Sequence, residues 1–454
     1  MPDLVVTRPE GNAQMNYTAD IQSRDFHWLI HSQIDPHALK PWLNREATLR
    51  LLDDFQFTET PFVEAEIWGR WRAVERLGVV AKVAATNFTF REQDVQNCLT
   101  TIQFTNNLLV FTETQLQRSE GRATAPSISY DFSEKKLFLT NVVGTLDQES
   151  VLKALGPKVA RTLEPYRFSS PPTVRINGVM DLKKASSSDD AHFDIEGGPF
   201  LWKRYRLTRV AGRVDWVGDT LALTNVLGVF HNGEIHGHAF FDFTPTNGNN
   251  FSFHLALSEA DLHSLMADLT IKTNKLEGLL DGELTVISAN TGELKSWQGQ
   301  GHVSLRDGLI WEIPIFGIFS SMLNLVPPEH NLGNGRARQG SATFLITNSV
   351  IQTRDLEVHM TGARLHYEGT VDFQGNVDGK MEAVPFRNIP IFGPIIKTVL
   401  LPVSKIFEYK ITGTLSHPKR ELVYLPNFLV HPFKAMKDRP ATDQKPAEES
   451  KPPP

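Results

Sequence analysis

Cysteine is nearly missing from this chain of 454 residues: Cys98 stands alone, which excludes an internal disulfide framework and any cysteine-based zinc cluster. An excess of positive charge is missing too. Forty-six Lys and Arg against 52 Asp and Glu leave a net charge of −6, with no dominant basic stripe, so a nucleic-acid binder that lives on phosphate neutralisation is excluded. No apolar core opens the chain, because Arg8, Glu10, Asp20, Arg24 and Asp25 interrupt its first residues, and no run approaches the ~20 apolar residues of a membrane span. Tyrosine is scarce beside phenylalanine, 7 against 28, so much of the aromatic surface is suited to dry surroundings.

Enzyme signatures are lacking as well. The sequence holds no G-x-S-x-G elbow, no H-E-x-x-H pair, no phosphate-cradling G-x-x-x-x-G-K loop and no dinucleotide glycine fingerprint. A non-enzymatic chain without cofactor or bound metal is the expectation.

What is present is alternation. Phe251, Phe253, Leu255 and Leu257 share one strand face and Ser252, His254 and Ser258 the other. The same period of two runs through Ile176, Gly178, Met180; Ile235, Gly237, Phe241; Leu276, Gly278, Leu280; Tyr367, Gly369, Val371; and Ile411, Gly413. These positions predict a mainly β fold: an elongated, coiled, gutter-like antiparallel sheet with short interspersed helices, whose apolar inner face they line. About twenty strands at ~4.8 Å spacing would be too many for a flat open sheet, so coiling is required. A glycine in mid-strand marks a bend, a bulge or a close approach, and repeated on neighbouring strands it would leave a trough. The apolar faces could instead close on one another as a sandwich core.

Helix-start signals at Asp35, Arg91 and Asp147 are 56 residues apart, and a fourth stands at Ser258. The triplets Tyr130-Asp131-Phe132 and Phe241-Asp242-Phe243 repeat in step with the last two. The spacing predicts an N-terminal segment over 1–46, a repetitive β-gutter over 47–296, a distinct region over 297–425, and a short helix with a charged, Pro-rich tail over 426–454.

Residues 297–425 carry a resemblance. Gly299-Gln300-Gly301-His302-Val303-Ser304-Leu305-Arg306-Asp307-Gly308-Leu309-Ile310-Trp311, then Gly369-Thr370-Val371-Asp372-Phe373 and the closing Ile411-Thr412-Gly413-Thr414-Leu415-Ser416-His417-Pro418, resemble the C-terminal region of the AsmA-like family of bacterial envelope proteins. The resemblance implies a greasy β-gutter in the periplasm or cell envelope. It further implies phospholipid or another acyl lipid as the partner, passage of lipid between inner and outer membranes or assistance to outer-membrane assembly, and contact with either membrane or with envelope proteins. Members of that family begin with a membrane-anchoring helix, which this chain is expected to lack. Two other functions stay open: a polysaccharide-processing β-solenoid enzyme and a closed-core β scaffold or adhesin.

Three further features need placing. Ile-Pro-Ile-Phe-Gly occurs twice, and Ile313, Pro314, Phe316 and Ile389, Pro390, Phe392 are candidates for capping the sheet end or docking a membrane or partner. His231, His236, His238 and His254 are the best metal-ligand candidates, although a solvated polar strand face is the favoured reading. Lys203, Arg204, Arg206, Arg209 and Arg213 form a basic cluster that is either hydrated along a strand or set against lipid phosphates.

Overall fold

The computed structural model describes residues 3–42, 46–155, 166–182, 188–202, 205–269, 275–310, 337–360, 363–385 and 407–424. The chain is mainly β, built on antiparallel sheet that is not closed into a barrel, with a few short helices, as the alternation predicts. By internal contact it forms two units, residues 1–303 with 346–349, and 304–345 with 350–454. Both Ile-Pro-Ile-Phe-Gly segments and the tail lie outside the described residues.

In the first unit nearly every strand pairs with the next one in sequence, from Leu4–Arg8 to Glu277–Asn290. The N-terminal segment is part of this ladder and not a separate element, since Asp25–Ile34 pairs along Phe62–Arg70. Two-residue turns with both residues left-handed join several strands: Arg91-Glu92 (φ 48° and 64°), Asn106-Asn107 and His231-Asn232. Such turns match the twist of the strands they join.

The turn at Arg91-Glu92 corrects the helix expected there. Val95 and Cys98 imitate helical spacing because the strands Ala73–Phe90 and Gln93–Thr105 each show two consecutive exposed residues, 86–87 and 96–97, between inward-facing ones. The expected helix at 147 is present as Gln148–Leu155, its first turn capped by the Asp147 carboxylate accepting from the Ser150 amide at 3.0 Å. The helix expected from Ser258 begins later, at Leu262, because strand Asn250–Asp261 runs on to the capping Asp261. A 3-10 turn spans Pro36–Trp42, and Glu46–Asp53 is a further helix that the spacing did not announce.

Register shows where these extras sit. Strands ending at Ile34, Gly144, Gly197 and Asp261 all finish at the same rim of the sheet, and each helix follows one of them. Among the described residues, turns join strands at the opposite rim, among them 71–72, 106–107, 132–135 and 218–219. We call these the helical rim and the turn rim. At the helical rim Phe55 and Phe57 pack on a cluster of Ala85, Phe88 and Val95.

Curvature comes from repeated bulges. Asn141, Asn225 and Glu259 adopt left-handed φ of 46°, 51° and 55°, and strand register slips beside each one. A bulge of this kind bends its strand and increases local twist. Gly178 and Gly237 pair with strands at these slips, Gly178 opposite Leu139 and Gly237 opposite Val226.

In the second unit the strands Val350–Met360, Ala363–Asp372, Asn376–Pro385, Phe407–Thr414 and Pro418–Tyr424 pair in sequence order. The centre of their apolar face is fully buried: Val358, Leu365, Tyr367, Val377, Met381 and Ile411 are all below 5 % exposed, while Ile351, Leu356, Val371 and Tyr409 around them are half-buried.

Candidate functional site: a half-exposed apolar face

Antiparallel pairing puts directly opposed residues on one face, so register alone traces which side chains are neighbours across the first unit. Phe241 faces Leu221 on one side and Phe251 on the other, and Ala239 faces Leu223 and Phe253. From there the row passes Leu221 to Trp216, Val214 to Phe193, Phe193 to Ile176, and Ile176 to Val142. Farther on, Leu137 opposes Tyr130, Leu109 opposes both Tyr130 and Phe104, and Ile67 opposes Val79. Strand after strand contributes apolar side chains to the same side.

That side is not sealed. Ile176, Met180, Ile235, Phe241, Phe253 and Leu280 are half-buried, and Leu255 is exposed. Full burial on this face comes in patches: Ala260, Leu262 and Leu265 at or under the helix Leu262–Leu269, and Ala191, Val286 and Ala289 away from the helical rim. A face closed against a second layer would be buried throughout. Cys98 belongs to the same face, opposite Ala85 and Leu116, and burial pushes its thiol pKa up, so it acts as a small apolar filler and not as a nucleophile.

The expected lining residues therefore divide. Leu276, Tyr367 and Ile411 are 0 %, 3 % and 0 % exposed and belong to packed cores, not to an open surface. Gly369 and Gly379, paired across two strands, make room for Tyr367: a β-carbon on either would lie 2.5 Å from its hydroxyl oxygen. The hydroxyl is buried without a hydrogen-bond partner, and burial pushes its pKa up to about 12. Val371 and Gly413 share this face.

The mid-strand glycines mark close backbone approach. A β-carbon at Gly178, where φ is +126°, would meet the Asp190 carbonyl oxygen at 2.0 Å, and one at Gly237 would meet that of His254 at 2.6 Å. Gly278 also takes a positive φ, 127°. At Gly178 and Gly237 the missing side chain admits the backbone of the neighbouring strand.

A feature that was hard to see in sequence lies at the turn rim. The residue that follows each of several strands donates its amide to the adjoining turn: Trp71 to the Arg24 carbonyl, Phe132 to Asn107, Leu182 to Lys135 and Phe243 to Asp219, at 2.8–3.0 Å. These four equivalent side chains are 37–55 % exposed. Phe132 packs on Tyr130 and Phe104, Phe243 on Phe241 and Trp216, and Trp71 on Phe26, so the apolar face runs out past the rim as a lip. The repeated triplets Tyr130-Asp131-Phe132 and Phe241-Asp242-Phe243 are its signal. In each the aspartate caps the turn, accepting amides from Ser133 and Thr244, and the second aromatic becomes the lip.

The opposite face is polar, and its acidic side chains pair with His and Arg, some on a neighbouring strand and some on their own. His27 meets Glu66 at 2.8 Å, His192 meets Asp215 at 2.6 Å, and Arg213 meets Asp215 at 2.7 Å. Burial would raise the Asp215 pKa, but hydrogen bonds from Arg213 and His192 outweigh it and hold the carboxyl below the usual range. The candidate metal histidines are not brought together. His236 and His238 lie on this polar face, where His238 stacks on His254 at 5.3 Å, whereas His231 is buried at the helical rim, 3.4 Å from Asp268. Of the basic cluster, Arg209 pairs with Glu196, Arg213 with Asp215, and Arg206 is exposed; Lys203 and Arg204 lie outside the described residues.

No protein-family model matches this chain, and no curated protein is significantly similar to it. Among the described residues, no helix is long and apolar enough to cross a membrane.

Proposed function

We propose that this chain is a non-enzymatic cell-envelope protein that shields the acyl tails of phospholipid on the apolar face of its first unit, in transit between membranes or during outer-membrane assembly. The observation that carries the reading is the cross-strand row from Ile67 to Val286, apolar throughout, with much of its length half-exposed. Each methylene removed from water contributes about 0.8 kcal/mol, without direction, so a hydrocarbon chain can lie across such strands with no specific site at any one of them. The paired charges of the other face keep that side hydrated and leave one greasy side. The AsmA-like resemblance of residues 297–425 supports the periplasmic setting.

The closed-core scaffold fits the second unit, the centre of whose face is buried, better than the first. Native mass spectrometry of the purified protein tests the proposal. Co-purifying phospholipid is the expected result; lipid-free protein that also fails to bind a fluorescent fatty acid would overturn it.

A further inference from the structure

One small element stands apart from the main sheet. The strands Tyr166–Phe168, Phe200–Trp202 and Tyr205–Leu207 form a ribbon at the helical rim of the first unit. Register places Tyr166, Trp202 and Tyr205 in one row and Phe168, Phe200 and Leu207 in a second row on the same ribbon face. The second row is the attachment: Leu207 lies against Gly228 and Phe168 against Gly197, and both glycines belong to the apolar face of the main sheet. Gln148 holds the ribbon edge, its side-chain oxygen accepting from the Phe168 amide at 2.9 Å.

The first row reaches away from that attachment. Tyr166 and Trp202 are 43 % and 42 % exposed. On the other ribbon face Arg167, Leu201 and Arg206 line up opposite one another, all exposed. Between Glu196 and Asp215 the sequence has five basic residues and no acidic one; Arg209 and Arg213 pair with those two flanking acids, and Arg206, on the ribbon, is exposed. Trp and Tyr with an apolar body and a polar tip, flanked by Arg, are the side chains that favour the boundary between lipid headgroups and acyl chains.

Resting on the lipid-shielding proposal, we propose that this ribbon docks the protein on an anionic phospholipid bilayer, Tyr166 and Trp202 entering the interface while Arg167 and Arg206 meet lipid phosphates. The ribbon's hold on the apolar face of the main sheet would then bring that face to the bilayer from which lipid is taken.

The test is co-sedimentation of the full chain with vesicles of phosphatidylcholine alone and with vesicles that also contain phosphatidylglycerol. Binding should favour the anionic vesicles and weaken with salt. Arg167→Gln with Arg206→Gln should lower affinity for them by on the order of tenfold and leave the neutral vesicles unchanged. Trp202→Ser should weaken both, while Trp202→Phe retains most binding. Circular dichroism and thermal midpoints establish that each variant is folded. Equal binding to both vesicle types, or a folded double variant that binds as the parent does, would overturn the proposal. Uptake of a fluorescent fatty acid supplied without vesicles reports on the apolar face independently. All ribbon variants should retain it, so its loss in the parent would sink acyl shielding and leave docking to stand or fall by the vesicles.

Discussion

Phe240 and Phe241 are adjacent in one strand and point to opposite sides of the sheet, which makes them a matched pair of probes. Phe241 lies in the apolar row, its ring 6.0 Å from that of Phe251, whereas Phe240 is 45 % exposed on the polar side. If acyl chains lie on the apolar row, the Phe241 ring covers about four methylenes at ~0.8 kcal/mol each, halved because the far side of the chain stays open. Phe241→Glu should therefore cost about 1.5 kcal/mol of binding, a little over tenfold, with the unpaired carboxylate adding to the loss. Phe240→Glu should leave binding unchanged. The assay is titration of the purified variants with an environment-sensitive fluorescent fatty acid, alongside thermal melts. Loss of the Phe241–Phe251 contact costs roughly 0.5–1.5 kcal/mol of stability, so the variant remains measurable. Equal affinity of the two variants, with both folded, would refute acyl binding on this face.

Gly237→Ala should lower the thermal midpoint, since its β-carbon would collide with the His254 carbonyl oxygen, and larger residues there should be worse. Gly379→Ala forces the Tyr367 ring to move and should destabilise the second unit by about 1–3 kcal/mol in urea unfolding, whereas Tyr367→Phe removes an unpartnered buried hydroxyl and should be neutral or stabilising. With its pKa raised to about 12, Tyr367 stays protonated in the fold at a pH that ionises it in the unfolded chain. Stability should thus fall as pH climbs above about 10, less so in Tyr367→Phe, as thermal melts across that range would show. Asp261→Ala removes the cap of helix Leu262–Leu269 and should cost about 1 kcal/mol. Burial raises the Asp261 pKa, but the hydrogen bonds from Ser264 dominate and lower it, so this contribution is present above about pH 4 and lost as pH falls further.

Strand identity was legible because a period of two survives wherever a strand carries unlike faces: Ile235, Gly237, Ala239 and Phe241 do share a side. Where a bulge shifts the phase the pattern misleads. Val95 and Cys98 read as a helix, and Ser258 as a helix start, because a left-handed residue in or beside the strand turns spacings of two into three. Curvature was assigned to glycine, yet much of it is set by Asn141, Asn225 and Glu259 at bulges; asparagine enters the left-handed region readily, but the strand alternation does not mark where a bulge falls. Exposure was the least legible property. Tyr367 and Phe241 have similar neighbours in sequence, but one is sealed and the other open, because that depends on what packs over the face and not on the strand itself.

The pairing order has a consequence for how the first unit is made and unmade. A strand held only by its predecessor and successor can join as soon as it emerges, without waiting for a distant partner, so a large β structure assembles by local steps. Stability then accumulates along the chain, neighbour by neighbour, and hydrogen exchange should be graded from the terminal strands inward. Adding or removing a hairpin would lengthen or shorten the greasy side by one increment, which lets the reach of such a protein change by duplication without a new fold.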